Sequence, residues 1–563
     1  MTAHVGSIVI KGGTVVDGTG GPGFVADVVI HGDRITMIGH DLHVAGATIL
    51  DATGCIVAPG FIDIHTHYDA QVFWDPSLTP SCFHGVTSVV AGNCGFSIAP
   101  VRPGEQGLIA ATMEKVEDMD PATLLEGVPW DFESFPEYLA SVGRHGSVLN
   151  FGAYIGHTAL RLHAMGADSV GRVATDDEIS RMAVTVGEAM DAGALGFATS
   201  YAVTHRGADG NPIPSRYADR REVDALAAAV VASGRGVVGI NGGEGMSFSD
   251  SYDLSIELGA PVTYTAILTT PTGAHVKAMD IHRDGIARGA NVWPQISCRP
   301  LAFSMHMIEP FTLNTSPVFA ALMPLSEADR RRAYESIEWR ATAKQAWIHD
   351  KRIAPRWDTF AVMESVANPD LVGVGITTLA AQGDAHPLDV LLDLALAEPD
   401  LRSLRVKATL ANDDPDGIEF LLREKHVTLG LSDAGAHVSQ ICDAPLPTDL
   451  LGNWVRERGV LTIEDAVHRL TGVQASIFGF ADRGELREGA FADVCVFDPA
   501  TVDPGPLRRV RDFPADGERL TADAPVGVRH VLVNGTVIRR NGSALSSDEV
   551  GRPGHMLVAA PRR

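Results

Sequence analysis

The sequence of 563 residues predicts an α/β protein in which a (β/α)8 barrel lies between two short all-β segments. Three observations support this prediction. Short strand patterns with turn signals occupy both ends of the chain, helix and strand patterns alternate between them, and residues 61–433 are numerous enough for eight strand–helix units with insertions. The length suggests two or three domains.

The chain ends are predicted to form small antiparallel β-structures. Near the start, Gly12–Gly13 and Gly32–Asp33 each separate two apolar runs, as hairpin turns do. Near the end, a strand pattern at 492–498 is followed by a second pattern at 529–540, in which Asn534–Gly535 is a strong two-residue turn signal.

The clearest helix–strand unit begins at Thr175. Thr175 and Glu178 have the spacing of a capping box, and Gly193 is typical of a helix end. Between them, one helical face carries apolar side chains: Ile179, Met182, Ala183, Val186, Ala189 and Met190. The run "ALGFATS" then reads as a buried strand, and helices followed by buried strands predict a parallel sheet.

Residues 299–357 do not follow the alternation, because they are rich in Met, aromatic residues and Pro. This segment is interpreted either as a lid or substrate wall, or as an insertion packed on the barrel exterior.

Composition excludes several function classes. With 45 basic and 70 acidic residues, the formal charge of -25 disfavours nucleic acid and anionic membrane surfaces as partners. The start lacks a basic segment followed by a long apolar one, and no apolar stretch reaches the roughly 20 residues of a membrane span, so a cytoplasmic location is predicted. The six cysteines lack a Cys-x-x-Cys spacing, which argues against a zinc ribbon or disulfide scaffold.

The stretch "GFIDIHTHYDAQ" at 60–71 suggests a metal site. If Phe61–His67 is a strand, His65 and His67 point to the same side, because side chains alternate along a strand. Their imidazoles would then converge either on a metal ion or as a hydrogen-bonded buried pair.

Two further candidate strands end in metal-compatible residues. "VTSVVAGNCGFS" ends at Cys94, and "HVTLGLSDAGAH" ends at Asp433, with the candidate substrate-binding residue His437 one short loop beyond. In parallel barrels the chemistry lies at the carboxyl ends of the strands. Imidazole, thiolate and carboxylate are ligands that suit zinc, and water bound to zinc has a pKa near 7. Asp433 could take a proton from that water and pass it to a leaving nitrogen. The alternatives are that Asp433 caps a helix and that Cys94 is a small buried hydrophobe.

Four more residues are candidate substrate-binding groups. His157 in "YIGHTALR" and His205 in "YAVTHRG" could line the barrel mouth or be hydrogen-bonded structural histidines. Arg161 and Arg299 lie near predicted strand ends and could grip a substrate carboxylate bidentately, or form structural salt bridges.

The stretch "PGFIDIHTHYDAQVFWDPSLTPSCFHGVTSVVAGNCGFSIAPV" resembles the opening barrel segment of the D-aminoacylase (N-acyl-D-amino-acid deacylase) branch of the amidohydrolase superfamily. "ADRGELREGAFADVCVFD" and "VRHVLVNGTVI" are similar to that superfamily's closing sequence, and "YIGHTALR" and "AGALGFATS" also resemble this branch. The resemblance implies a distorted barrel with a small β-sandwich formed by both chain ends. The expected division is 1–57 and 484–545 for the β-sandwich, 58–483 for the barrel, and 546–563 for a tail.

The resemblance also implies that His65 and His67 are metal ligands, that Cys94 is a thiolate ligand, and that Asp433 is the catalytic acid/base and a ligand. Two histidines expected from this branch are missing, since "GVVGINGGEG" has Asn241 and "PVTYTAILTT" has Thr265. One zinc ion is therefore expected rather than two, because three protein ligands and water suffice for catalytic zinc.

The leading hypothesis is a zinc-dependent amidohydrolase that cleaves an amide of a small molecule, as deacylases of N-acyl-D-amino acids do. One alternative is a hydrolase or lyase of a cyclic amide, a lactone or a carbon–carbon bond on the same scaffold. The other is a non-catalytic relative that binds a ligand. The sequence is compatible with a homo-oligomer.

Overall fold

The computed structural model describes residues 6–207, 210–310, 312–314, 316–349 and 355–562. Its strands are β1 (Ser7–Val15), β2 (Phe24–His31), β3 (Arg34–Gly39), β4 (Thr48–Asp51), β5 (Ile56–Pro59), β6 (Phe61–Asp63), β7 (Val86–Ala91), β8 (Asn150–Gly156), β9 (Gly196–Ser200), β10 (Val237–Asn241), β11 (Val262–Thr265), β12 (Val292–Ile296), β13 (Leu301–Met305), β14 (Ala361–Glu364), β15 (Arg405–Ala411), β16 (Thr428–Leu429), β17 (Val494–Phe497), β18 (Arg508–Phe513), β19 (Gly517–Thr521), β20 (Val528–Val533), β21 (Thr536–Arg540) and β22 (Ser543–Ala544).

Its α-helices are α1 (Gln106–Val116), α2 (Pro121–Gly127), α3 (Phe135–His145), α4 (His157–Met165), α5 (Asp176–Ala192), α6 (Arg220–Ala232), α7 (Phe248–Leu258), α8 (Ala274–Ala287), α9 (Pro317–Ala320), α10 (Glu327–Glu335), α11 (Ile337–His349), α12 (Ile376–Gln382), α13 (Pro387–Ala397), α14 (Pro415–Leu422), α15 (Leu446–Asp449), α16 (Ile463–Leu470), α17 (Gly472–Phe478) and α18 (Ser547–Val550). A π-helix spans Leu450–Glu457. Within the described ranges, no helix combines the length and the apolar character needed to cross a bilayer.

The predicted parallel barrel is confirmed. β6 to β12 run side by side in sequence order, β16 follows β12, and every pairing in this sheet is parallel. A parallel bridge between Thr66 and Ala434 joins the segments that follow β6 and β16, so the two edges of the sheet connect through the chain just beyond its first and last strands. β7 and β8 are buried along their whole length, as the central strands of a parallel sheet are.

The unit that begins at Thr175 forms as predicted. The Thr175 and Glu178 side chains make a reciprocal capping box at the start of α5, and Gly193 ends the helix in the left-handed conformation with φ 110°. The apolar face of α5 is buried, and β9 follows as a fully buried strand.

Both chain ends contribute to one mixed sheet, in which β5 and β17 pair antiparallel and join the N-terminal strands to β20, β21 and β22. The turns at Gly32–Asp33 and Asn534–Gly535 are confirmed, since each connects paired strands. The turn predicted at Gly12–Gly13 is wrong, because β1 continues through both glycines. There the pairing with β2 shifts register, and Gly12 takes φ 73°, which identifies a β-bulge.

A second compact unit consists of Pro300–Pro415 with Thr269–Pro271. It has its own antiparallel sheet, in the order β13-β15-β14, and its own apolar core, which includes Met305, Phe319, Tyr334, Leu391 and Val406. The segment predicted to depart from the barrel pattern, 299–357, lies at the start of this unit, which continues to Pro415.

Candidate active site

His65 and His67 follow the first barrel strand. β6 ends at Asp63, so the strand predicted to run through His67 is shorter than expected. Hydrogen bonds donated by backbone N–H groups hold the following segment instead. His65 N donates to the side-chain Oδ1 of Asp63 (3.2 Å), Thr66 N to Val90 O (3.1 Å) and His67 N to Ala434 O (2.7 Å). Both imidazoles are buried, with ring centres 5.5 Å apart. The two histidines therefore converge, as the spacing predicts.

Cys94 lies in a tight turn after β7, where it takes a left-handed conformation with φ 54°. The neighbouring Asn93 ties this turn to the histidine segment, because its Nδ2 donates to the carbonyls of Ile64 (3.1 Å), Thr66 (3.4 Å) and Val90 (2.9 Å). Cys94 Sγ consequently lies 3.5 Å from His65 Nε2.

Asp433 follows β16 and completes the cluster. Its Oδ1 lies 3.0 Å from His65 Nε2 and 3.8 Å from His67 Nε2. The preceding Ser432 donates from Oγ to the carbonyl of His65 (2.9 Å), which links the two strand ends. The donor atoms of His65, His67 and Cys94 all lie within 4.8 Å of one another. Two imidazoles, a thiol and a carboxylate form a donor set that fits zinc.

The charges in the cluster also favour a bound cation. Burial raises the pKa of the Cys94 thiol, but His65 and His67 outweigh burial and bring this pKa to about 6. Burial alone would raise the pKa of Asp433, yet His65 and His67 hold it well below its usual value. Conversely, burial lowers the pKa of His65, whereas Cys94 and Asp433 raise it to about 10. The Cys94 thiolate and the Asp433 carboxylate thus lie beside the same two imidazoles. A metal ion could replace the histidine protons as the positive charge between them.

The Nδ1 atoms of the two histidines face protein groups. His65 Nδ1 lies 2.6 Å from Gln295 Oε1, at the end of β12, and 3.4 Å from Thr265 Oγ1. His67 Nδ1 lies 3.2 Å from Glu117 Oε1, just after α1. These contacts leave both Nε2 atoms directed towards Asp433.

The two positions that lack the expected histidines lie at the same cluster. Asn241 and Thr265 are register partners at the ends of β10 and β11. Asn241 donates from Nδ2 to Cys94 Sγ at 3.4 Å. The places from which this branch would supply further imidazoles thus carry an amide and a hydroxyl.

Sequence reasoning missed Glu117 and Gln295. Gln295 is the last residue but one of a barrel strand, so the rule that located Cys94 and Asp433 could have located it. Glu117 follows a helix in a region without any recognised motif, and nothing local distinguishes it. Burial raises the pKa of the Glu117 carboxyl, whereas the adjacent His67 opposes this shift and favours the ionised carboxylate.

His205 and His437 are half-buried near the cluster. His205 Nδ1 lies 2.8 Å from Ser200 Oγ. Burial lowers the pKa of His205 to about 3, and the charges of His437 and His67 contribute to this shift. Burial likewise lowers the pKa of His437 to about 4, against the opposing effect of Asp433. Their substrate-binding role stays a prediction.

His157 and Arg161 form a buried network around Glu222. His157 Nε2 lies 2.8 Å from Glu222 Oε1, and Arg161 Nη1 donates to Glu222 Oε2 at 2.5 Å. Both side chains are fully buried, and Arg161 Nη2 donates to the carbonyls of Ser169 and Arg172. These contacts favour the structural alternative over substrate binding for both residues.

Arg299 is paired with two carboxylates. Its Nε donates to Asp443 Oδ1 (2.7 Å), and its Nη1 lies 3.5 Å from Asp449 Oδ1. The Arg299 guanidinium is thus already paired with carboxylates of the protein itself. This pairing favours a structural salt bridge over substrate binding for Arg299 as well.

Replacing Arg161 separates the two interpretations of the Glu222 network. Arg161→Met is expected to destabilise the protein by about 3–5 kcal/mol, because it leaves Glu222 buried with one partner fewer. Thermal unfolding and KM are measured on the same preparation. A normal unfolding temperature with a KM raised tenfold or more would instead show that Arg161 binds the substrate. Arg181→Met, at an exposed ion pair with Asp177, controls for loss of an arginine and should change neither quantity.

The chain belongs to the amidohydrolase family, whose model matches residues 48–297 and 383–539. The interval between these two matched stretches falls almost entirely within the second compact unit.

Two curated relatives from Alcaligenes xylosoxydans xylosoxydans match nearly the whole chain. A D-aminoacylase is 28% identical over 97% of this chain and 96% of its own length. An N-acyl-D-glutamate deacylase is 30% identical over 94% of this chain and 93% of its own length. A solved structure of the N-acyl-D-glutamate deacylase from Bordetella bronchiseptica, in complex with zinc and a phosphonate inhibitor, superposes with a TM-score of 0.64. That match is 26% identical and covers 98% of this chain and 99% of the other.

These relatives place the chain in the D-aminoacylase branch, as its opening and closing motifs predict. The protein is a metal-dependent hydrolase that acts on carbon–nitrogen bonds other than peptide bonds.

Proposed function

We propose that this protein deacylates N-acyl-D-amino acids and uses one divalent ion, zinc, held by His65, His67 and Cys94, with Asp433 beside it. The observation that carries the proposal is the convergence of these four side chains from three strand ends. The relatives named D-aminoacylase and N-acyl-D-glutamate deacylase support the substrate class.

Asp433 is assigned the proton transfers. Zinc bound at this site would supply Lewis acidity, which lowers the pKa of water and polarises a carbonyl. Asp433 lies next to the donor atoms of both histidines, where its carboxylate can accept a proton from water. It can then hand that proton to the departing amide nitrogen, which would otherwise leave as an unstable anion. His205 and His437 are the nearby groups assigned to substrate binding.

A single ion is proposed because the chain offers few further donors at the cluster. Asn241 and Thr265 occupy the strand ends from which two more imidazoles would come. Asn241 instead donates a hydrogen bond to the Cys94 sulfur, which stabilises a thiolate without adding a metal ligand.

The same two positions support a second candidate, the hydrolysis of a cyclic amide or lactone, or a carbon–carbon cleavage, on this scaffold. A site without the two histidine ligands would hold fewer metal ions and could therefore act on a different bond of the substrate. One barrel fold can support different reactions.

A substrate panel tests both candidates on protein loaded with one equivalent of zinc. N-acyl-D-amino acids with acidic, apolar and polar side chains, their L-enantiomers, and cyclic imides are compared by kcat/KM. We expect turnover of at least one D-series compound, with a preference of about 100-fold or more over its L-enantiomer. Turnover of cyclic imides with no activity on any linear amide would favour the second candidate.

A further inference from the structure

The contact between His67 and Glu117 lies outside the catalytic assignments above. His67 Nδ1 and Glu117 Oε1 are 3.2 Å apart, and the exposed fractions of the two residues are 2% and 1%. Glu117 follows α1 directly, and its carbonyl accepts a hydrogen bond from Val438 N (3.2 Å), close in sequence to Asp433. The residue is therefore fixed by its backbone as well as by burial.

Nothing else in the described chain compensates the Glu117 carboxylate as His67 does. Its Oε2 is buried without a hydrogen-bond partner among the described residues, and the same is true of His67 Nδ1, whose contact with Oε1 is close but not aligned as a hydrogen bond. Burying an uncompensated carboxylate costs several kcal/mol. The His67 imidazole thus offsets the cost of burying the Glu117 carboxylate.

The other ligand histidine has a neutral partner in the same role. His65 Nδ1 lies 2.6 Å from the amide oxygen of Gln295. In both cases Nδ1 faces a side-chain oxygen and Nε2 faces Asp433 Oδ1. At His65, the hydrogen bond to the Gln295 oxygen favours a proton on Nδ1 and leaves the lone pair on Nε2. At His67, the negative charge of the nearby Glu117 carboxylate favours the same arrangement.

We propose that Glu117 is a positioning residue, whose carboxylate holds His67 with Nε2 towards the metal and makes this imidazole a stronger donor than His65. This inference rests on the proposed metal site. Removing the partner of a metal-bound histidine typically lowers metal affinity about 10- to 100-fold.

Zinc affinity, measured by competition with a chromophoric chelator, tests the role without using activity. Glu117→Ala is expected to raise the Kd for zinc about 10- to 100-fold. Glu117→Gln is nearly isosteric and keeps an acceptor oxygen but no charge, so its Kd should fall between those of the wild type and the alanine variant. In Co²⁺-loaded protein, the visible absorption should change in the alanine variant, because the geometry at His67 changes.

The matched control is Glu398→Gln, which alters another buried carboxylate. Glu398 lies in the second unit and accepts hydrogen bonds there from Val366 N and Ala367 N. Its zinc Kd should equal that of the wild type. An unchanged Kd in both Glu117 variants, with or without a lower unfolding temperature, would overturn the inference and leave Glu117 a purely structural residue. Wild-type protein that binds no zinc would instead contradict the proposed function itself.

Discussion

Asp433→Asn is expected to retain zinc and to lose about 10²–10⁴-fold of kcat, the usual contribution of a positioned general acid/base. Asparagine keeps the shape of the side chain but can neither take a proton from water nor return one to the leaving nitrogen. The three donors His65, His67 and Cys94 remain, which is enough for a catalytic zinc site. Metal content by elemental analysis and kcat on the best substrate of the panel give the two readouts.

Asp482→Asn is the matched control, because it makes the same chemical change at an exposed carboxylate paired with Arg34. Exposed pairs contribute little to stability, so both readouts should stay at wild-type values. Normal turnover by Asp433→Asn would remove Asp433 from the proton transfers. Loss of zinc from that variant would show that Asp433 is needed mainly as a ligand.

His65→Ala is expected to release the ion and abolish turnover, because only His67 and Cys94 of the three proposed ligands remain, and a catalytic zinc site requires three. Protein purified without a metal-affinity tag should contain one zinc per chain, and the variant close to none. Cys94→Ser should bind zinc much more weakly, since a hydroxyl is a poorer ligand than the thiolate that the low pKa of Cys94 favours.

His31→Ala provides the control for removing an imidazole, since His31 is exposed on β2 and contacts Ser7. Its zinc content should not change. Two zinc ions per wild-type chain would contradict the single-ion proposal. A wild-type chain that neither contains nor takes up metal would identify His65 and His67 as a buried structural pair.

Patterns within short stretches of sequence predicted much of the fold and part of the site. The capping box at Thr175, the buried run of β9 and the turn at Asn534–Gly535 formed as expected, because each depends on neighbouring residues. His65 and His67 could be recognised together because a spacing of two residues places them on one side of the chain, even though β6 ends before them.

Other features depended on residues far away in sequence. Gly12 and Gly13 have the composition of a turn, but pairing with β2 makes them a bulge within a continuous strand. Arg161 has the chemistry of a carboxylate-binding group, but Glu222 on another helix already occupies it. No local pattern could reveal either outcome, because the deciding partner lies elsewhere in the chain.

By itself, the sequence determined the barrel class, the chain ends that share one β-structure, and the residue types able to hold a metal. The tertiary structure alone decided which partner each of these residues has: Gln295 at His65, Glu117 at His67 and Asn241 at Cys94. The physical reason is that periodicity and turn chemistry act over a few residues, whereas the burial and hydrogen bonding that tune a site join side chains from separate strands and helices.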